Sequence, residues 1–125
     1  MKHSLRHAIV AIILVLSSAV PVMAGPLENA DAAIKRRDYA SALRIICPLA
    51  EQGDASAQYS LGVFYDNGLS VPQDLVRAYM WFTLSAKQGK DGAAIFRDLI
   101  ARRMTSAQIA EAQKLARDWK AKPER

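Results

Sequence analysis

Apolar residues return at three- and four-residue steps along this chain, the spacing of helices that bury one side. The clearest stretch is Ala78, Trp81, Phe82 and Ser85-Ala86, which predicts a helix from about Gln73 to Gln88. Ala57, Leu61, Phe64 and Tyr65 predict another just before it, from about Ala55 to Asp66. Helices are also expected at about 27–36, 39–52, 92–102 and 106–120. The last carries Ile109, Ala112, Leu115, Ala116 and Trp119 on one side and polar groups on the other.

The residues at the ends of these stretches say where each helix stops. Asp38 and Asp74 are N-cap types, whose carboxylates accept backbone N–H bonds at the positive end of the helix dipole. Thr105 followed by Gln108 fits a capping box. Gly53 and Gly89 stand where a left-handed residue closes a helix, and Asn67-Gly68 ends another. Between the two central helices, Val71 is expected to plug the gap and Pro72-Gln73-Asp74 to start the second. Gly62 lies inside a helix at a cost of about 1 kcal/mol relative to Ala. That cost implies close approach by a neighbour, with Ala78 the expected surface. Shifting the chain by 36 residues superposes Asp38 on Asp74, Ala42 on Ala78, Ala50 on Ala86, Gln52 on Gln88 and Gly53 on Gly89. A period in the range of about 20 to 50 residues marks a solenoid or array.

Ahead of the periodic part, Lys2 and Arg6 precede an almost wholly apolar run from Ala8 to Val20, then Pro21-Val22-Met23-Ala24. This is the layout of a secretory signal peptide cut after Ala24, so the protein is expected in the periplasm or secreted, with no membrane span after cleavage. An uncleaved anchor would need about 20 apolar residues in a row. Cleavage removes His3 and His7, the chain's only histidines, and with Lys2 and Arg6 lowers the net charge from +5 to +3. The remaining Lys and Arg are interspersed with acids, so no nucleic-acid face is expected. Cys47 is the single cysteine, which rules out an intramolecular disulfide; in the apolar stretch RIICPLA it reads as a small hydrophobe.

The chain resembles the Sel1-like repeat family, a relative of the tetratricopeptide repeats. The resemblance is carried by Ala57, Leu61, Gly62, Tyr65, Gly68, Val71, Asp74, Ala78, Trp81, Ala86 and Gly89, and covers one full repeat with a half-matched unit before it. Ser70 departs from it where the family usually has a second Gly, and Ser85 where it usually has Ala. The resemblance implies an all-α, right-handed superhelix of about three hairpins and six helices. The expected organisation is a signal peptide over 1–24, a repeat domain over 25–121 and a short tail over 122–125. It also implies a scaffold or adaptor role, with the first helix of each hairpin lining a concave face. Some exported relatives tie each hairpin with a disulfide and a few were proposed to act on β-lactams. This chain lacks those cysteine pairs.

Without histidine in the mature chain, Ser-His-Asp and Cys-His arrangements cannot form. Any metal site would have to be all-oxygen, and no calcium-loop spacing appears. No cofactor is expected. Asp66, Asp74, Asp91 and Asp98 are the carboxylates from which a small hydrolase would have to draw, but most stand next to helix ends. The expected function is therefore a non-catalytic protein- or peptide-binding scaffold in the cell envelope. Tyr59, Phe64, Arg97 and Arg102 are its candidate partner-binding residues, exposed tyrosines being favoured at interfaces. The alternative is a structural subunit, possible as a homo-oligomer, that stacks on itself or docks through the last helix and Trp119.

Overall fold

The computed structural model describes residues 25–124. The predicted signal peptide lies outside them. Six helices follow one another: α1 (Pro26–Lys35), α2 (Tyr39–Glu51), α3 (Ala55–Asn67), α4 (Leu75–Lys87), α5 (Ala93–Ala101) and α6 (Ser106–Asp118). No strand occurs among the described residues, and the architecture is an α-helical repeat solenoid. None of the described helices is long and apolar enough to cross a membrane.

Local chemistry sets the helix ends. Asp38, Asp54 and Asp74 each accept a hydrogen bond from the backbone N–H three residues on, at 3.2, 2.8 and 3.0 Å. Thr105 and Gln108 exchange side-chain and backbone bonds in a capping box. Because Asp74 caps, α4 starts at Leu75 rather than at Gln73. Gly68 closes α3 with φ 66°, and its N–H donates to the Phe64 carbonyl, a left-handed stop that a side chain would strain. Ser70, where the resemblance leads one to expect Gly, also has a positive φ of 56°.

Each of the first four helices packs on the next, and α4 then carries both α5 and α6. The third pair of helices is therefore held mainly through α4 rather than through each other. One core cluster joins α1, α2, α3, α4 and α6 through residues such as Ala33, Ile46, Leu61, Phe64, Trp81 and Ala116, with Val71 packed against it. A second joins α4, α5 and α6 through Ala78, Phe82, Ile100 and Ala112, with Tyr59 and Val63 of α3 against it. Alanines at the crossings let the helices approach closely. The backbone near Gly62 does meet a neighbour, but that neighbour is Phe82: the three nearest atoms to an added Cβ all belong to its ring.

The end of the chain is tied in. Trp119 packs edge-on against Trp81, with ring centroids 6.1 Å apart. Lys122 N–H donates to the Glu51 carbonyl at 2.7 Å, and its ammonium stands 3.2 Å from the Glu51 carboxylate. The short tail expected from residue 122 thus begins on the end of α2, and Trp119, half-buried, takes part in the packing.

Candidate partner-binding surface

The seam between α3 and α5 holds a group of three aromatic rings. Phe82 of α4 is fully buried and forms the floor. Tyr59 of α3 meets Phe82 and Phe96 edge-on at 5.7 and 5.8 Å between centroids, while Phe82 and Phe96 stack at 5.9 Å with planes 21° apart. Such pairs are worth about 0.5–1.5 kcal/mol beyond their buried area, so Tyr59 is held in place before any partner arrives. Lys90 extends its ammonium over the Tyr59 ring, 5.8 Å from the centroid. Gly92 passes beside the same ring, close enough that a Cβ there would lie 3.8 Å from the Tyr59 hydroxyl. Phe96 stays 39% exposed, so the group opens to solvent on one side.

At the other end of the seam, the Arg103 guanidinium reaches back to Asp66 of α3 at 2.7 Å. The spacing of α3 and α5 is thereby set at both ends, by packed rings at one and an ion pair at the other. Beyond the seam, α5 turns Ile95 and Leu99 outward.

Of the four residues expected to bind a partner, Tyr59, Arg97 and Arg102 lie on this part of the molecule. Tyr59 is half-buried and forms part of the seam. Arg97 is half-buried and donates to Asp98, its neighbour in α5, at 3.0 Å. Arg102 is the exposed C-cap of α5. Phe64 does not belong with them: it is 2% exposed and packs edge-on against Tyr39 at 6.1 Å, so it is core. Helix α3 is covered on two sides, by α2 and by α4, which is why an apolar residue on its second face proved to be interior.

The carboxylates considered for hydrolysis go separate ways. Asp66 pairs with Arg103, Asp74 caps α4 and faces Arg77 at 3.5 Å, and Asp98 pairs with Arg97. Among the described residues, no three His, Cys, Asp or Glu side chains converge on a metal-sized site. Between α2, α3, α4 and α6 lies a separate cavity of about 280 Å³, lined by Cys47, Leu61, Tyr65, Arg77, Trp81 and Leu115 among others. Burial, and secondarily the nearby Glu51 carboxylate, push the Cys47 thiol above its ordinary range. That favours the unreactive thiol over the thiolate.

Two sets of residues escaped sequence reasoning. Ile95, Phe96 and Leu99 were available as a signal, since with Ile100 they recur at helical spacing in AAIFRDLIA and form one broad apolar face. Gln58 and Gln88 gave none. Gln58 is fully buried; its amide donates to the Ala50 carbonyl at 3.2 Å, and Gln88 donates to both Gln58 and the Gly53 carbonyl at 2.8 and 2.9 Å. Beside them the buried Ser85 hydroxyl donates to the Ala55 carbonyl at 2.7 Å, giving a use to the Ser that stands where the resemblance leads one to expect Ala.

Compared with known families, residues 55–90 match the family model described as Sel1 repeat. That stretch opens with α3 and ends just beyond Gly89, so the match is the α3–α4 hairpin with its turn. A comparison with curated proteins gave no match.

Proposed function

We propose that this chain, whose central hairpin matches the Sel1 repeat model, is a helical-repeat scaffold for protein interaction that works as an adaptor in the cell envelope. It acts there after losing residues 1–24, without catalysis and without a cofactor. Its binding surface is the α3–α5 seam, which takes a protein or peptide segment. The observation that carries this reading is the Tyr59–Phe82–Phe96 group: an aromatic anchor fixed by its neighbours, open on one side and flanked by the Lys90 ammonium. Rigid aromatic anchors lose little conformational entropy on binding. The group suits a segment that offers an apolar side chain beside a carboxylate. Export is supported by the charged start, apolar run and small residues of the first 24 positions.

The test compares what co-purifies from envelope extract with the wild-type protein and with Tyr59→Ala at equal yield and helicity. At least one species retained by the wild type should fall about tenfold or more with Tyr59→Ala, as for an interface hot spot. Identical sets in equal amounts overturn the seam as the binding surface. Intact mass of the protein in the envelope fraction should correspond to a chain starting at Gly25. A protein confined to the cytoplasm with its leader attached overturns the envelope assignment.

A further inference from the structure

Four large apolar side chains are exposed among the described residues, and three of them, Ile95, Phe96 and Leu99, lie on α5. The fourth, Leu115, is on α6 and lines the separate cavity. Ile95 is 65% and Leu99 46% exposed, so the rest of the chain leaves much of both side chains uncovered. A helix with one apolar side turned to water lacks a partner.

Charge indicates what that partner is. Ile95, Leu99 and Arg102 follow at steps of four and three, so they form one stripe along α5. Asp91 lies in the turn just before the helix. From N- to C-terminus the edge therefore reads acid, aliphatic, aliphatic, base. Neither Asp91 nor Arg102 is in an ion pair among the described residues. Such an order is complementary to itself when reversed. In an antiparallel pair of α5 helices, Leu99 of one copy meets Ile95 of the other, and each Arg102 meets the other copy's Asp91. The two helix dipoles also oppose favourably.

Head-to-tail stacking has no such match. The other end of the array is α1, whose exposed residues include Pro26, Glu28, Asn29, Asp31 and Lys35, with Leu27 and Ile34 packed inward. An apolar hollow between Pro26, Leu27 and Leu49 does lie there, but both of its charged lining residues, Glu28 and Asp54, are acids, so it offers Asp91 no partner. Hence we infer that two copies of this chain pair isologously through α5, in an antiparallel two-fold contact that closes at the dimer. The patch covers on the order of a few hundred Å² per copy, small for a permanent interface. The dimer accordingly forms and dissociates with concentration. This pairing deepens the self-association alternative and does not require Tyr59 to bind anything.

Sedimentation or light-scattering mass of the protein expressed from its full-length gene, followed against concentration, tests it. The mass should rise from one copy to two and stop there. Leu99→Arg should remain a single copy throughout with unchanged far-UV circular dichroism. Asp91→Arg and Arg102→Asp should each weaken the dimer about two- to fivefold at low salt, and the double exchange should restore it. A mass fixed at one copy overturns the inference, as does growth past two copies, which marks an open stack. A Leu99→Arg protein that still dimerises, or a double exchange no better than its singles, overturns it too. Because Leu99→Arg leaves Tyr59 in place, capture by the seam should persist in that variant. Loss of pairing and loss of the adaptor function are thereby told apart.

Discussion

Gly62 shows how one missing side chain sets the distance between two helices. An added Cβ would lie 2.8 Å from two carbons of the Phe82 ring and 3.0 Å from a third. Alanine is the better helix former by about 1 kcal/mol, whereas forcing a methyl group into a packed contact costs about 1–3 kcal/mol. The ring decides between these effects. Phe82 is fully buried, stacked on Phe96 and met edge-on by Tyr59, so it has nowhere to swing. Gly62→Ala should therefore lower stability by about 1–2 kcal/mol in urea unfolding; a midpoint equal to or above that of the wild type would show that propensity wins. Close approach at Gly62 was legible in the sequence, because a glycine inside a helix asks for a reason. The identity of its neighbour was not. Whether Ala78 or Phe82 lies opposite depends on how the helices cross, and periodicity carries no information on crossing. Phe64 failed for a related reason, since α3 has two covered sides and a single apolar stripe cannot represent both.

At the level of elements, helix starts were the most legible feature, because a cap is a contact between residues three apart. Asp38 illustrates its consequence for pH. Hydrogen bonds from the Ser41 side chain and backbone hold the Asp38 carboxyl below its ordinary value of 3.8. The unfolded chain thus takes up the proton first. The stabilisation is complete above the unfolded value and disappears as pH falls through the lower folded one. Asparagine caps without titrating, so Asp38→Asn should lose less melting temperature than the wild type on acidification from neutral pH to below 3.8; equal acid slopes would remove Asp38 as a contributor. Junctions between elements were less legible. Gln58 looks like a surface residue in a periodic pattern, yet it binds the end of α2 and, through Gln88, the end of α4. Gln58→Leu keeps roughly the volume but removes two hydrogen bonds, one to the Ala50 carbonyl, which keeps the Gly53 N–H, and one from Gln88. A hydrogen bond contributes about 0.5–1.5 kcal/mol net, and denaturant unfolding should show a loss of that order. A fully stable variant would mean that the junction is held by apolar packing alone.

Across the whole molecule, a pure solenoid has each repeat touching only its neighbours, so damage at one end should stay there. This chain departs from that scheme. Helix α6 lies on α4, Ala116 joins the cluster that also contains Ala33 of α1, and Lys122 bonds to the end of α2. Gly53, just past α2, has Ala121 and the Trp119 ring within 4 Å of where its Cβ would be. The repeat period announced a layered array, but the return of the last segment onto the second helix is a contact between residues about 70 positions apart, which no local pattern encodes. Trp119 is the residue that can decide how far the array is closed. It is only partly buried, so Trp119→Ala should cost less than a core truncation, about 2 kcal/mol from lost apolar area and the Trp81 edge contact. Location matters more than size here. If the chain closes on itself, amide exchange in Trp119→Ala should accelerate at Gln52, Gly53 and Asp54, in the first half of the sequence, as well as along α6. Acceleration confined to α4, α5 and α6 would return the molecule to nearest-neighbour behaviour, with α6 serving only as a polar end cap.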